Sequence, residues 1–215
     1  MSEKLIPSRE LMLRVRDAFL AHGYDGMSMV TLAKACGFTR RSLYNYFSHK
    51  EEAFRALNQF DGVDYVRAGM AAGAEVRRNG GSALDIVAEI LDVRYGLTRR
   101  LLNQSPHAIE MNAEAFRRCR DIMIESALAF QGELEQLLIE LERDGLLRLN
   151  RDVTPRQLAQ MLADGGRAVN QALPPIATED FAARYRAMCR AILYGSATAL
   201  TGHAKRSAKK PEAAR

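Results

Sequence analysis

No stretch of this 215-residue sequence approaches 18 uninterrupted apolar residues, which excludes a membrane-spanning helix. The first twenty residues carry Glu3, Glu10 and Asp17, unlike a secretory leader, so a cytoplasmic location is expected. Cysteine is scarce. Cys36, Cys119 and Cys189 lie far apart, share no metal-ligand or redox spacing, and read as buried thiols. The four histidines, His22, His49, His107 and His203, show no ligand spacing either. No glycine-rich phosphate loop, nucleophile motif or carboxylate pair stands out, so the sequence points away from an enzyme and calls for neither metal nor cofactor. Val, Ile and Thr never gather in period-two runs, which argues against strands.

What remains is an ordinary globular composition, 47% hydrophobic and 27% charged. The net charge of +5 and pI of about 9.3 are misleading. In the last stretch, "HAKRSAKKPEAAR", five basic residues oppose Glu212, so +4 of the +5 belongs to a tail. Residues 203–215 read as a disordered basic end.

Apolar residues recur at helical spacing and the helix starts are well marked, predicting an all-α chain of about nine helices. Ser8 precedes a helix ending at Gly23, and Ser28 a short one running to Gly37. Ser48 with Glu51 reads as a capping box, Ser82 opens another helix, and Ser105-Pro106 a further one. Thr154-Pro155-Arg156-Gln157 and Thr178-Glu179-Asp180 mark the last two starts. The segment "LDIVAEILDVRYGLTRRLL" is apolar on two stripes and is expected to lie centrally. A helix from Ser48 towards Arg78 is expected to bend at Gly62, Gly69 or Gly73.

The segment "SMVTLAKACGFTRRSLYNYF" is short helix, tight turn around Gly37, short helix: a helix-turn-helix, whose second helix enters the DNA major groove. With Leu43 and Phe47 inward, Arg40, Arg41, Tyr44 and Asn45 project outward. Arginine matches guanine O6 and N7, at about 1–3 kcal/mol of discrimination per bidentate contact. Ser42, His49 and Lys50 are placed for backbone phosphates.

The stretch "HGYDGMSMVTLAKACGFTRRSLYNYFSHKEEAF" resembles the DNA-binding domain of TetR/AcrR-type transcriptional regulators, over roughly residues 8–55. The ending Leu43, Tyr44, Tyr46, Phe47 and Lys50 carries the family's pattern. The resemblance implies a regulator, for the most part a repressor, that binds a palindromic double-stranded DNA operator as a homodimer and is released by a small molecule. It places base contacts on Val30, Arg40, Arg41, Tyr44 and Tyr46, and phosphate contacts on Ser28, Ser42, Asn45 and Lys50. Arg41 stands where the family commonly has Gly or Pro, and Met29 and Val30 stand where polar contacts are usual. Reading is therefore expected to rest on the second helix. The DNA-binding set is Ser28, Thr39, Arg40, Arg41, Ser42, Tyr44, Asn45, Tyr46, His49 and Lys50.

The domain expectation is residues 1–47 for the DNA-binding head and 48–202 for a ligand-binding and dimerisation bundle. Polar tips within apolar helices suggest a pocket from Arg94, Tyr95, His107, Asn112, Arg167 and Asn170 beside Met111, Phe116, Met123 and Met161. Small residues every three or four positions, Ala159, Ala163 and Gly166, then Ala187, Ala191, Gly195 and Ala199, suggest a four-helix dimer interface. A transcriptional activator of the same fold, or a less specific architectural DNA-binding protein, is the alternative.

Overall fold

The computed structural model describes residues 4–195, so Ala199 and the basic tail lie outside the described residues. Ten α-helices account for it: α1 (Arg9–His22), α2 (Met29–Ala35), α3 (Arg40–Tyr44), α4 (Lys50–Arg78), α5 (Ala83–Leu91), α6 (Leu97–Asn103), α7 (Ala108–Arg118), α8 (Arg120–Arg143), α9 (Pro155–Asn170) and α10 (Phe181–Tyr194). A π-wound segment, Asp92–Gly96, joins α5 to α6 without a break, so the described residues form nine rods and no strand.

The starts follow the side chains that satisfy free backbone N–H groups. Ser8, Ser28 and Thr39 accept from the N–H groups of Leu11, Thr31 and Ser42. Ser82 with Asp85 and Thr154 with Gln157 complete full capping boxes. The box expected at Ser48 and Glu51 does not form, and the cap falls one residue later. His49 takes the extended cap conformation, and its Nδ1 accepts from the Glu52 N–H at 3.2 Å. Glu52 in turn accepts from the Ser48 N–H at 2.6 Å. Nor does Ser105-Pro106 open a helix. Ser105 Oγ donates to the Leu20 carbonyl at 2.6 Å and accepts from the His107 N–H at 3.0 Å, so the serine ties α1 to the turn before α7.

Two apolar clusters form. The first joins α1 to α4 around Phe19, Leu32, Leu43, Phe47 and Phe54, all nearly fully buried. Each such side chain contributes about 1.5–3 kcal/mol over leaving it in water. Met111 of α7 and Cys119 belong to this same cluster, so the head is docked on the larger bundle. The second cluster is centred on α5, whose Ile86, Val87, Ile90 and Leu91 are buried against α4, α8, α9 and α10.

α4 serves both clusters. Ala53, Phe54 and Leu57, expected in the larger domain, complete the head, while its far half packs on α5. It runs 29 residues as one helix, roughly 44 Å long at 1.5 Å per residue. The glycines expected to bend it have another use. A Cβ on Gly69 would stand 2.9 Å from the Ile90 carbonyl oxygen, and one on Gly73 2.3 Å from Ile90 Cγ1. Their missing side chains let α5 press against α4.

The small residues of α9 are likewise spent inside the chain, which corrects the dimer expectation for Ala159, Ala163 and Gly166. Ala159 and Ala163 are buried in the second cluster, and a Cβ on Gly166 would stand 2.6 Å from the Tyr95 ring. Gly195 is also no ridge residue. At φ 77° it caps the end of α10. Ala187 and Ala191 do lie on the exposed face of α10.

Candidate DNA-reading surface and interior cavity

α3 is held by its caps and one inward side chain. Thr39 starts it, Leu43 is fully buried, and Gly37, at φ 71°, makes the turn that an L side chain would strain. Arg40, Arg41, Tyr44 and Asn45 are thereby left exposed on one short helix and its cap, beside half-buried Ser42. Arg40 donates through Nε and Nη2 to the Tyr44 hydroxyl, at 3.3 and 3.0 Å, and its guanidinium lies 5.4 Å from that ring's centre. Ser42 and Thr39 share a 2.8 Å hydroxyl contact. Val30 is 58% exposed on α2, next to Ser28, whose hydroxyl contacts that of Thr31 at 2.9 Å.

The remaining residues of the expected set have structural partners. Tyr46 is half-buried, edge-on to Phe38 at 5.8 Å. His49 caps α4. Lys50 Nζ donates to the Tyr24 carbonyl at 2.9 Å and sits 4.5 Å from the Tyr24 ring centre, bracing the α1–α2 connection. Between Asp25 and Glu51 the chain contains no acidic residue, while Lys34, Arg40, Arg41 and Lys50 are basic. That local excess, hidden in the overall charge, favours a phosphate backbone.

Behind the head is a cavity of about 230 Å³ between α4, the π segment, α6, α7, α8 and α9, with α1 at its edge. It brings together eight of the ten residues suggested by sequence: Arg94, Tyr95, Met111, Asn112, Phe116, Met123, Arg167 and Asn170. The other two lie elsewhere. His107 Nδ1 contacts Glu110 Oε2 at 3.2 Å beside Gly23, and Met161 is half-exposed on the outer side of α9.

Sequence reasoning missed Arg16, Asn58, Asp61, Tyr65 and Ser126, all in the cavity wall. Arg16 Nε donates to Asp61 Oδ1 at 3.0 Å, with a second bond from Nη2, and its guanidinium is 5.3 Å from the Tyr65 ring centre. Burial pushes the Asp61 carboxyl up to about 6 despite that cation. Nothing in the sequence around Arg16 separates it from a surface arginine. Tyr95 donates its hydroxyl to the Ala163 carbonyl at 3.1 Å. Arg94 donates from Nη2 to Ser126 Oγ at 3.1 Å, while its buried Nε and the buried Oδ1 of Asn170 have no partner.

Among known proteins, the family described as "Bacterial regulatory proteins, tetR family" matches residues 16–57, which run from the middle of α1 to the first turns of α4. No curated protein matched the sequence. Solved structures with the same fold include a protein assigned to the TetR-family transcriptional regulators from Rhodococcus sp. It has a TM-score of 0.64 and 18% identity, over 86% of this chain and 96% of that one. FadR from Bacillus subtilis, in complex with stearoyl-CoA, has a TM-score of 0.60 and 15% identity over 87% and 98%. NemR from E. coli, in its reduced form, has a TM-score of 0.60 and 21% identity over 87% and 97%. Residues 16–57 thus carry a tetR-family DNA-binding head, on an all-α body whose fold is that of solved TetR-family regulators.

Proposed function

We propose that the protein is a ligand-responsive repressor that binds a palindromic operator as a homodimer in the cytoplasm and is released when a small molecule enters the cavity. The observation that carries this reading is the shared wall. Arg16 and Leu20 of α1 and Phe54 to Tyr65 of α4 line the cavity, and those two helices also build the reading head. A molecule that displaces them shifts α3. In a dimer the two reading helices must sit about 34 Å apart, one turn of DNA, so a small tilt abolishes simultaneous binding. A coupling of roughly 1–3 kcal/mol between the sites is enough to change occupancy. No helix of the described residues is long and apolar enough to cross a membrane, in keeping with a partner that is DNA.

Selection of bound duplex from a random pool tests the reading. A palindrome with one preferred half-site supports it. Equal recovery of all sequences would instead mark an architectural DNA protein, whose specific and nonspecific affinities do not differ.

A further inference from the structure

Arg94 is a half-buried cation without a counterion, its Nε fully enclosed. Among the described residues it makes no ion pair, and its one hydrogen bond goes to the neutral Ser126 hydroxyl. The carboxylates around it are committed elsewhere: Asp61 to Arg16, Asp92 to Arg100 at 2.7 Å, and Asp164 faces Arg167 at 3.7 Å. The Arg94 guanidinium instead lies 5.1 Å from the Tyr95 ring centre and 5.6 Å from that of Phe130. Arginine does not give up its proton in a protein, and a buried charge with unmet donors is costly.

Its backbone is special too. Arg94 and Tyr95 sit within the π-wound segment between α5 and α6, and such extra turns recur at functional sites. At the same cavity, Asn170 leaves its own amide oxygen unmatched. Around these polar tips the wall is soft and apolar, with Met111, Phe116, Met123 and Leu102.

We infer that the cavity takes a small organic carboxylate with an apolar body, held by the Arg94 guanidinium. This rests on the regulator reading only for its consequence on DNA; the binding itself does not. A carboxylate matches the guanidinium fork, of whose donors the Ser126 hydroxyl takes only one. A volume of about 230 Å³ equals roughly eight water molecules, the scale of an arylacetic or medium-chain acid. The stearoyl-CoA held by the Bacillus subtilis FadR is far larger.

The full chain is titrated calorimetrically with phenylacetate and octanoate, and with their neutral amides, phenylacetamide and octanamide. At least one acid is expected to bind, with its amide about 10- to 100-fold weaker, because a charge-assisted hydrogen bond is lost. Arg94→Gln, with helicity checked by circular dichroism, is expected to erase that preference. If neither acid binds, or if acid and amide bind alike to the unaltered protein, the inference is wrong whatever the variant does. Binding of an acid with no change in affinity for the selected DNA would leave the ligand class standing and sink the release mechanism. Selective DNA binding without any acid bound would do the reverse.

Discussion

Arg16 of α1 and Asp61 of α4 are bonded to each other in the cavity wall, their side chains only 12% and 22% exposed. The pair fastens the reading head to the helix that continues into the larger bundle. Asp61 is also the carboxyl of the cavity wall and is pushed up by burial, so the joint responds to pH.

Because burial raises the Asp61 carboxyl from an ordinary 3.8 to about 6, the folded chain holds that proton more tightly than the unfolded chain does. Acidification from pH 7 to about 4 therefore stabilises through this group, and the gain is lost again as pH rises through 6. A shift of two units corresponds to roughly 3 kcal/mol. Asp85 and Asp121, held down to about 2 by Ser82 and Arg55 respectively, lose their contribution only below this window. Thermal melts of the wild type and Asp61→Asn between pH 4 and 7 check the point. The wild type is expected to gain on the variant as pH falls. A constant gap would mean that Asp61 titrates normally.

One substitution has opposite signs at two glycines. In Gly69→Ala the new Cβ meets the Ile90 carbonyl oxygen at 2.9 Å and Arg94 Cβ at 3.2 Å, so backbone must move. The expected cost is about 1–3 kcal/mol, which the better helix propensity of alanine only partly offsets. Gly132→Ala lies on the exposed face of α8 with nothing within 4 Å, and is expected to stabilise by about 0.5–1 kcal/mol. Denaturant midpoints of the two variants measure both.

The elements that the sequence made legible are those whose signal is local. Caps at Ser8, Ser28, Ser82 and Thr154 lie within three residues of the groups they satisfy, and the apolar stripes of α5 name the central helix. The TetR-type head was equally legible, because residue order and spacing around Gly37 are fixed by a tight turn. What the sequence hid is tertiary. Ser105 looks like a helix cap, yet it serves α1 across 85 positions. Gly166 looks like an interface residue, yet it faces Tyr95. Arg16 enters the cavity only because α1 lies against α4.

The thiols are expected to be silent in the folded protein. Burial pushes Cys36 and Cys119 up to about 11 and Cys189 up to about 12, so the reactive thiolate is scarce at pH 8. A chromogenic disulfide reagent should label none of the three within minutes under native conditions and all three in denaturant. Rapid native labelling of any one would show a thiol that opens to solvent.

With α9 spending its small residues internally, the proposed dimer contact falls to the outer face of α10. Ala183, Ala187 and Ala191 are exposed there in one row, beside a 55% exposed Tyr194. Ala187→Glu adds bulk and a like charge opposite itself across a two-fold axis, at no cost to the chain's own core. It is expected to give a monomer by light scattering at micromolar concentration. Operator affinity should then fall by about 100-fold or more, since the second half-site is no longer tethered to the first. A variant that stays dimeric would place the contact on another surface and leave this row to solvent.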